Sequence, residues 1–153
     1  GIVRVASGVY GTPGDVDLSS EVTGTLPSAN LPTPVTTRAI TFAIDGGGAV
    51  LTTGIKADVY VPYACTITAV TLLADQSGSV ELDIQKSTYS GFPGSLASIV
   101  ASDPPALSST QKSQDTTLAR WTTAIAAGDC LQFSITSIST ITRVNLTLTV
   151  TVS

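Results

Sequence analysis

Histidine is absent from this chain, and charged residues are scarce: Lys, Arg, Asp and Glu make up 12% of its 153 residues, against roughly one quarter in ordinary soluble domains. Without histidine the commonest general base is missing, and no Ser-His-Asp or Cys-His arrangement can be built, so nucleophilic hydrolysis is not the expected chemistry. Two cysteines, Cys65 and Cys130, cannot assemble a metal site of recognised spacing on their own. No cofactor and no metal are therefore expected. The 7 basic residues are scattered and the net charge is −4, which argues against a nucleic-acid partner, since phosphate binding needs clustered Lys and Arg. No apolar run approaches the roughly 18 residues of a membrane helix, and the start of the chain lacks the basic and apolar regions of a signal peptide. Membrane insertion is not expected, and Gly instead of Met at position 1 leads us to expect a fragment or a processed chain.

Hydroxyl groups stand where charges would. Ser and Thr make up about a quarter of the sequence, while apolar residues at 42% argue against disorder. Threonine fits a pleated surface because of its branched β-carbon, so an all-β protein is expected. Alternation with a period of two supports this. Val144, Leu146, Leu148, Val150 and Val152 alternate with Asn145 and three threonines, which predicts one core face and one threonine ladder. Ile40, Phe42 and Ile44 predict the inner face of another strand. Ile55, Ala57, Val59 and Val61 predict a third, with Lys56, Asp58 and Tyr60 outward, and Val80, Leu82 and Ile84 a fourth. Residues 65–73, CTITAVTLL, are apolar at both parities towards their end, as in a central strand or one covered at a subunit interface.

Turns are expected at Asp45–Gly48, Asp75–Gly78 and Ala127–Asp129, where Gly and Asp cluster. A short strand is expected from about Thr117 to Trp121. Seven or eight strands with a long connection between Lys86 and Thr117 predict a jelly-roll-like antiparallel β-sandwich over residues 39–153, preceded by an extended arm over residues 1–38. No helix of more than two turns is predicted.

Several residue groups invite a chemical reading. Cys130 shares the polar face of its strand with Gln132 and Ser134, Cys65 has no clear parity, and two free thiols are the simpler expectation than a disulfide. Glu81 and Asp83, with Asp58 on a neighbouring strand, could serve as the paired carboxylates of a glycosidase, but plain outward alternation explains their spacing, with Lys56 or Lys86 offsetting the charge. Asp45 with three glycines fits a hairpin turn better than an ion-binding loop. Asn145-Leu146-Thr147 matches a glycosylation sequon inside the best strand of the chain. Among the aromatics, Tyr89 and Phe92 sit in a Ser-Gly-Pro setting where a loop can present rings to sugar or protein, and Trp121 is a further candidate. The competing reading has Phe92 plugging an edge and Trp121 completing the core.

The N-terminal stretch Gly14–Asn30, GDVDLSSEVTGTLPSAN, is too polar to fold alone, yet carries Val16, Leu18, Val22 and Leu26 at regular intervals. A plain linker would be Gly/Ser- or Pro-rich. These apolar residues need a partner surface, and several copies winding together would supply one. The pattern G-x-V-x-L-x-x-x-V-x-G-x-L-P-x-x-N resembles repeats in tail-fibre and related appendage proteins of bacteriophages. It departs from them after Asn30, where Leu31-Pro32-Thr33-Pro34 replaces the frequent Gly-Gly-Thr-Gly. The runs FAIDGGGAVLTTGIKADVYVPYACTI and WTTAIAAGDCLQF also resemble C-terminal β-sandwich domains of phage tail and fibre proteins. The resemblance implies a virion structural protein: a homotrimer joined through its arm, contacting other virion proteins and a host surface glycan or protein, with no enzyme activity. Two alternatives remain open, a capsid decoration or neck protein and a monomeric carbohydrate-binding module with Tyr89, Phe92 and Trp121 as its platform.

Overall fold

The computed structural model describes residues 5–6, 9–10 and 36–152; Val16, Leu18, Val22 and Leu26 lie outside the described residues. Near the start, β1 (Val5–Ala6) pairs antiparallel with β2 (Val9–Tyr10). The rest is all-β: β3 (Thr37–Asp45), β4 (Gly54–Val61), β5 (Cys65–Thr88), β6 (Ala97–Ser98), β7 (Ala106–Asp115), β8 (Ala124–Ile125), β9 (Asp129–Ser139) and β10 (Arg143–Val152). These eight strands form one sheet on the path β3-β10-β5-β9-β4, with β6, β7 and β8 attached to β5. Every pairing is antiparallel.

The sheet is curled because β5 changes neighbours along its length of 24 residues. Its first part, Cys65–Ala74, pairs with β10, and its second, Ser79–Thr88, pairs with β9. β7 follows both parts, but its register jumps between Leu73 and Gly78. At that jump Ala74–Ser77 are opposed by Gln111 alone, and the strand bends. The inward residues of the two halves then meet in one core, where Ile67, Val70 and Leu72 join Val80, Leu82 and Ile84, backed by Phe133 of β9 and Leu146 of β10. Phe42 of β3 tilts against Phe133 with ring centroids 4.5 Å apart, so the far edge of the first half also touches the second.

Polar contacts pin the bend to the β9–β10 turn. Asp75 Oδ1 accepts the backbone N–H of Arg143 at 3.0 Å and of Thr142 at 3.3 Å, and its Oδ2 accepts the Thr142 hydroxyl. The Gln76 amide donates to the Thr140 carbonyl, and Thr140 Oγ1 donates to the Ser77 carbonyl at 3.1 Å. Gly78 is buried there because nothing larger fits: a Cβ would lie 2.4 Å from Thr140 Oγ1 and 2.6 Å from Ile141 Cγ1. The Asp75–Gly78 segment is therefore not the hairpin turn its composition predicts. Its polar side chains serve the turn of another pair of strands while β5 runs on through it.

Other departures from the alternation have one cause, extra residues in a strand that flip the side-chain parity. Ile55 is 61% exposed, not inward, since the β4–β9 register shifts between Ile55 and Ala57. A shift against β10 leaves Thr68 unpaired between Ile67 and Ala69, which explains why 65–73 reads as apolar at both parities: Ile67 and then Val70 and Leu72 face the core, while Leu73 is 51% exposed. The connection from Lys86 to Thr117 is not a loop; it holds a 3-10 turn at Tyr89–Gly91, β6 and β7. Nor does a strand run from Thr117 to Trp121. Asp115 takes the backbone N–H groups of Thr117 at 2.8 Å and Leu118 at 3.4 Å, and the Trp121 N–H then closes on the Leu118 carbonyl at 3.1 Å, so the chain turns here. The Asp45–Gly48 turn forms as expected, with Gly47 N–H on Asp45 Oδ1 at 2.7 Å.

The pinned bend and the turn after Asp115 are open to test. Gly78→Ala should overpack it and cost about 1–3 kcal/mol of unfolding free energy in urea titration. Hydrogen bonds from Thr142 and Arg143 hold the Asp75 carboxyl below its ordinary pKa, and those from Thr117 and Leu118 do the same for Asp115. A depressed folded pKa stabilises above the unfolded value, about 3.9, and that contribution disappears as pH falls through the lower folded value. The melting temperature should therefore drop in this acid range, and less steeply for an Asp75→Asn, Asp115→Asn variant.

Candidate functional site

With the inner face committed to the core, the chemistry of the molecule sits on the two outward faces of the curled sheet and in a cleft beside Trp121. On the β3–β10–β5 half, outward positions line up as Thr41, Thr147, Thr71 and Gln114 across four strands. Thr41 and Thr147 share a hydroxyl hydrogen bond, and Gln114 Nε2 donates to Thr71 Oγ1 at 3.0 Å. The neighbouring row is Ala43, Asn145, Leu73 and Lys112. From Ala39 to Ala43 and across β10 to Thr71, no outward side chain is charged. This is the threonine ladder that the alternation of β10 predicts, extended over three strands.

The other outward face, on β4, β9 and β5, is aromatic and polar. Tyr60, 56% exposed, lies opposite Cys130, which lies opposite Ser87. Two residues beyond Ser87, Tyr89 is 73% exposed and meets Tyr60 edge to face, with ring centroids 6.0 Å apart. Behind the pair, Gln132 Nε2 donates to Asp58 Oδ1 at 2.9 Å, Gln85 Nε2 to Asp83 Oδ2 at 3.0 Å, and Ser98 Oγ to Asp83 Oδ1 at 2.6 Å. Tyr89 is thus presented on the surface as the sequence suggests, but its companion is Tyr60. Period-two parity already points Tyr60 outward; only the β4–β9–β5 order, which no local signal encodes, brings it to Tyr89.

Phe92 is half-buried, with its backbone N–H on the Thr88 carbonyl at 3.1 Å. Trp121 belongs to the core at 9% exposure, and its indole N–H donates to the Asp103 carbonyl at 2.8 Å. Its edge borders a cleft of about 230 Å³ between Leu72, Pro104 and Asp115.

Asp58 and Asp83 are not on adjacent strands, since β9 runs between β4 and β5. Neither lysine offsets them. Lys56 donates to Thr52 Oγ1 at 2.9 Å and the Thr53 carbonyl at 3.3 Å. Lys86 turns to the end of the core, 3.4 Å from Asp129 Oδ2 and 2.8 Å from the Ala124 carbonyl. Both cysteines are free and buried; Cys65 belongs to the core and Cys130 to the outward face. Burial, with Asp129 nearby, pushes the Cys65 thiol up from its ordinary pKa. Among the described residues, no three Cys, Asp or Glu gather as metal ligands, and no helix is long and apolar enough to cross a membrane.

The chain matches no protein-family model, and no curated protein sequence aligns with it significantly. Its function is therefore read from its own surfaces.

The indole bond of Trp121 makes a structural role testable. Trp121→Phe should lower stability by about 1–3 kcal/mol in urea titration, through the orphaned Asp103 carbonyl and lost packing, whereas Tyr89→Phe should leave stability within about 0.5 kcal/mol.

Proposed function

We propose that this chain is a structural subunit of a virus particle, an appendage or fibre protein that works as a homotrimer. The curled sheet is read as a jelly-roll-like sandwich carried at the end of the arm. The observation that carries the proposal is the uncharged outward patch that runs from Ala39–Ala43 of β3 across Asn145–Thr149 of β10 to Thr71 of β5, bounded at one end by Asp45 and Arg143. Charged groups there would be costly to bury, whereas Thr, Ala and Asn side chains on a pleated surface pack closely and keep their hydroxyls bonded to one another. Obligate oligomers cover such faces and bury apolar residues a monomer could not. The resemblance of Gly14–Asn30 to phage fibre repeats supplies the viral part of the reading, and the spacing of Val16, Leu18, Val22 and Leu26 supplies the arm's part in assembly.

Light scattering coupled to size-exclusion chromatography tests it, on the full chain and on a version starting at Arg38. A mass of three chains that falls on truncation assigns assembly to the arm; Val22→Asp or Leu26→Asp should then weaken it and Glu21→Ala should not. A trimer that survives truncation moves the interface to the sheet, where Thr147→Lys should dissociate it. A monomer at every concentration overturns the proposal.

A further inference from the structure

The outward face of β4, β9 and β5 has the makings of a binding site, and its chemistry names the ligand. Three rows cross the strands: Tyr60, Cys130 and Ser87; then Asp58, Gln132 and Gln85, continued by Ser98 of β6; then the exposed Ile55, Ser134 and Asp83. Rows on one face lie about 7 Å apart and strands about 4.8 Å apart, so the patch measures roughly 14 Å by 10 Å, the footprint of about two pyranose rings. One end is the exposed Tyr60–Tyr89 pair, whose ring surface suits the apolar C–H face of a sugar. The rest is a set of amides, a hydroxyl and carboxylates held in place by the bonds from Gln132 to Asp58 and from Gln85 and Ser98 to Asp83.

That set is rich in acceptors. Each carboxylate keeps free lone pairs after accepting these bonds, and the half-buried Gln85 keeps its carbonyl oxygen, while Cys130, Gln132 and Ser87 are buried beneath their neighbours and serve as the floor. A complementary ligand must bring hydroxyl donors together with apolar C–H surface. It must also be free of negative charge, because Asp58 and Asp83 face it while Lys56 and Lys86 are turned to other partners. We infer that this face binds a neutral hexose oligosaccharide, stacked on Tyr60 and Tyr89 and hydrogen-bonded to Asp58, Asp83 and Gln85. Uronic and sialic acid glycans are excluded by the two carboxylates. The site belongs to a single chain, so it stands whether or not the chain trimerises; trimeric display would add avidity without altering the contacts.

Two-dimensional amide NMR on the whole protein, titrated to millimolar with malto-, cello- and manno-hexaose and with oligogalacturonate of equal length, is the test. The expected result is saturable shifts for at least one neutral hexaose, confined to residues 58–60, 83–89, 98 and 130–134, with none for oligogalacturonate. Tyr60→Ala and Tyr89→Ala should each weaken that binding about tenfold. Both rings are largely exposed, so an unchanged melting temperature certifies the variants. Asp58→Asn with Asp83→Asn should admit oligogalacturonate, a readout that loss of folding could not mimic. Shifts on the threonine face or beside Trp121 instead, equal binding of the acidic oligomer to the wild-type protein, indifference to both tyrosine substitutions, or no shift with any neutral hexaose would each overturn the inference.

Discussion

Everything in this fold depends on one strand serving two neighbourhoods. β5 is paired with β10 over its first part and with β9 over its second, and a strand that long can do so only if something fixes where it bends. Asp75, Gln76 and Gly78 do that, by holding the turn between β9 and β10 against the middle of the strand to which both belong. The arrangement closes on itself: the strands that flank β5 are joined by the turn that its own bend anchors. Loosening that point would separate the inward faces of the two halves, and with them the single core that Phe133 and Phe42 span.

The bend also divides the surface into two characters. On one side the outward positions from Ala39 and Ala43 across to Thr71 are mostly hydroxyl and methyl groups, with Thr41 bonded to Thr147 and Thr71 to Gln114. On the other they carry rings, amides and carboxylates that retain unused bonding capacity. A self-satisfied face suits contact with another copy, and a face with spare acceptors suits a hydroxylated ligand. One sheet can serve both because the curl points the two faces in different directions.

Much of this is legible in the sequence where alternation is unbroken, as in β10, in β3 and around Val80, Leu82 and Ile84, because a half-buried strand writes its burial directly into residue order. Legibility ends at particular residues. Lys56 and Thr68 are extra residues that invert parity, so Ile55 and Leu73 face solvent despite their hydrophobicity. β7 is missed because Leu107 is its one buried residue, so it has no inward pattern to read. Asp75–Gly78 has the composition of a turn and is used to hold one. The candidate site is half visible for the same reason: Tyr89 announces itself in a polar loop, while its pairing with Tyr60 depends on β9 lying between β4 and β5, a long-range order that no window of sequence contains.

The placement of the two thiols has a consequence for where this molecule can work. Cys65 points into the core and Cys130 to the opposite side of the sheet, both buried and unbonded, so the fold owes nothing to an oxidant. Burial keeps Cys65 in its protonated, unreactive form. The chain can therefore fold under reducing conditions and carry the same structure unchanged into an oxidising medium, a passage that a disulfide-stapled domain of this size could not make.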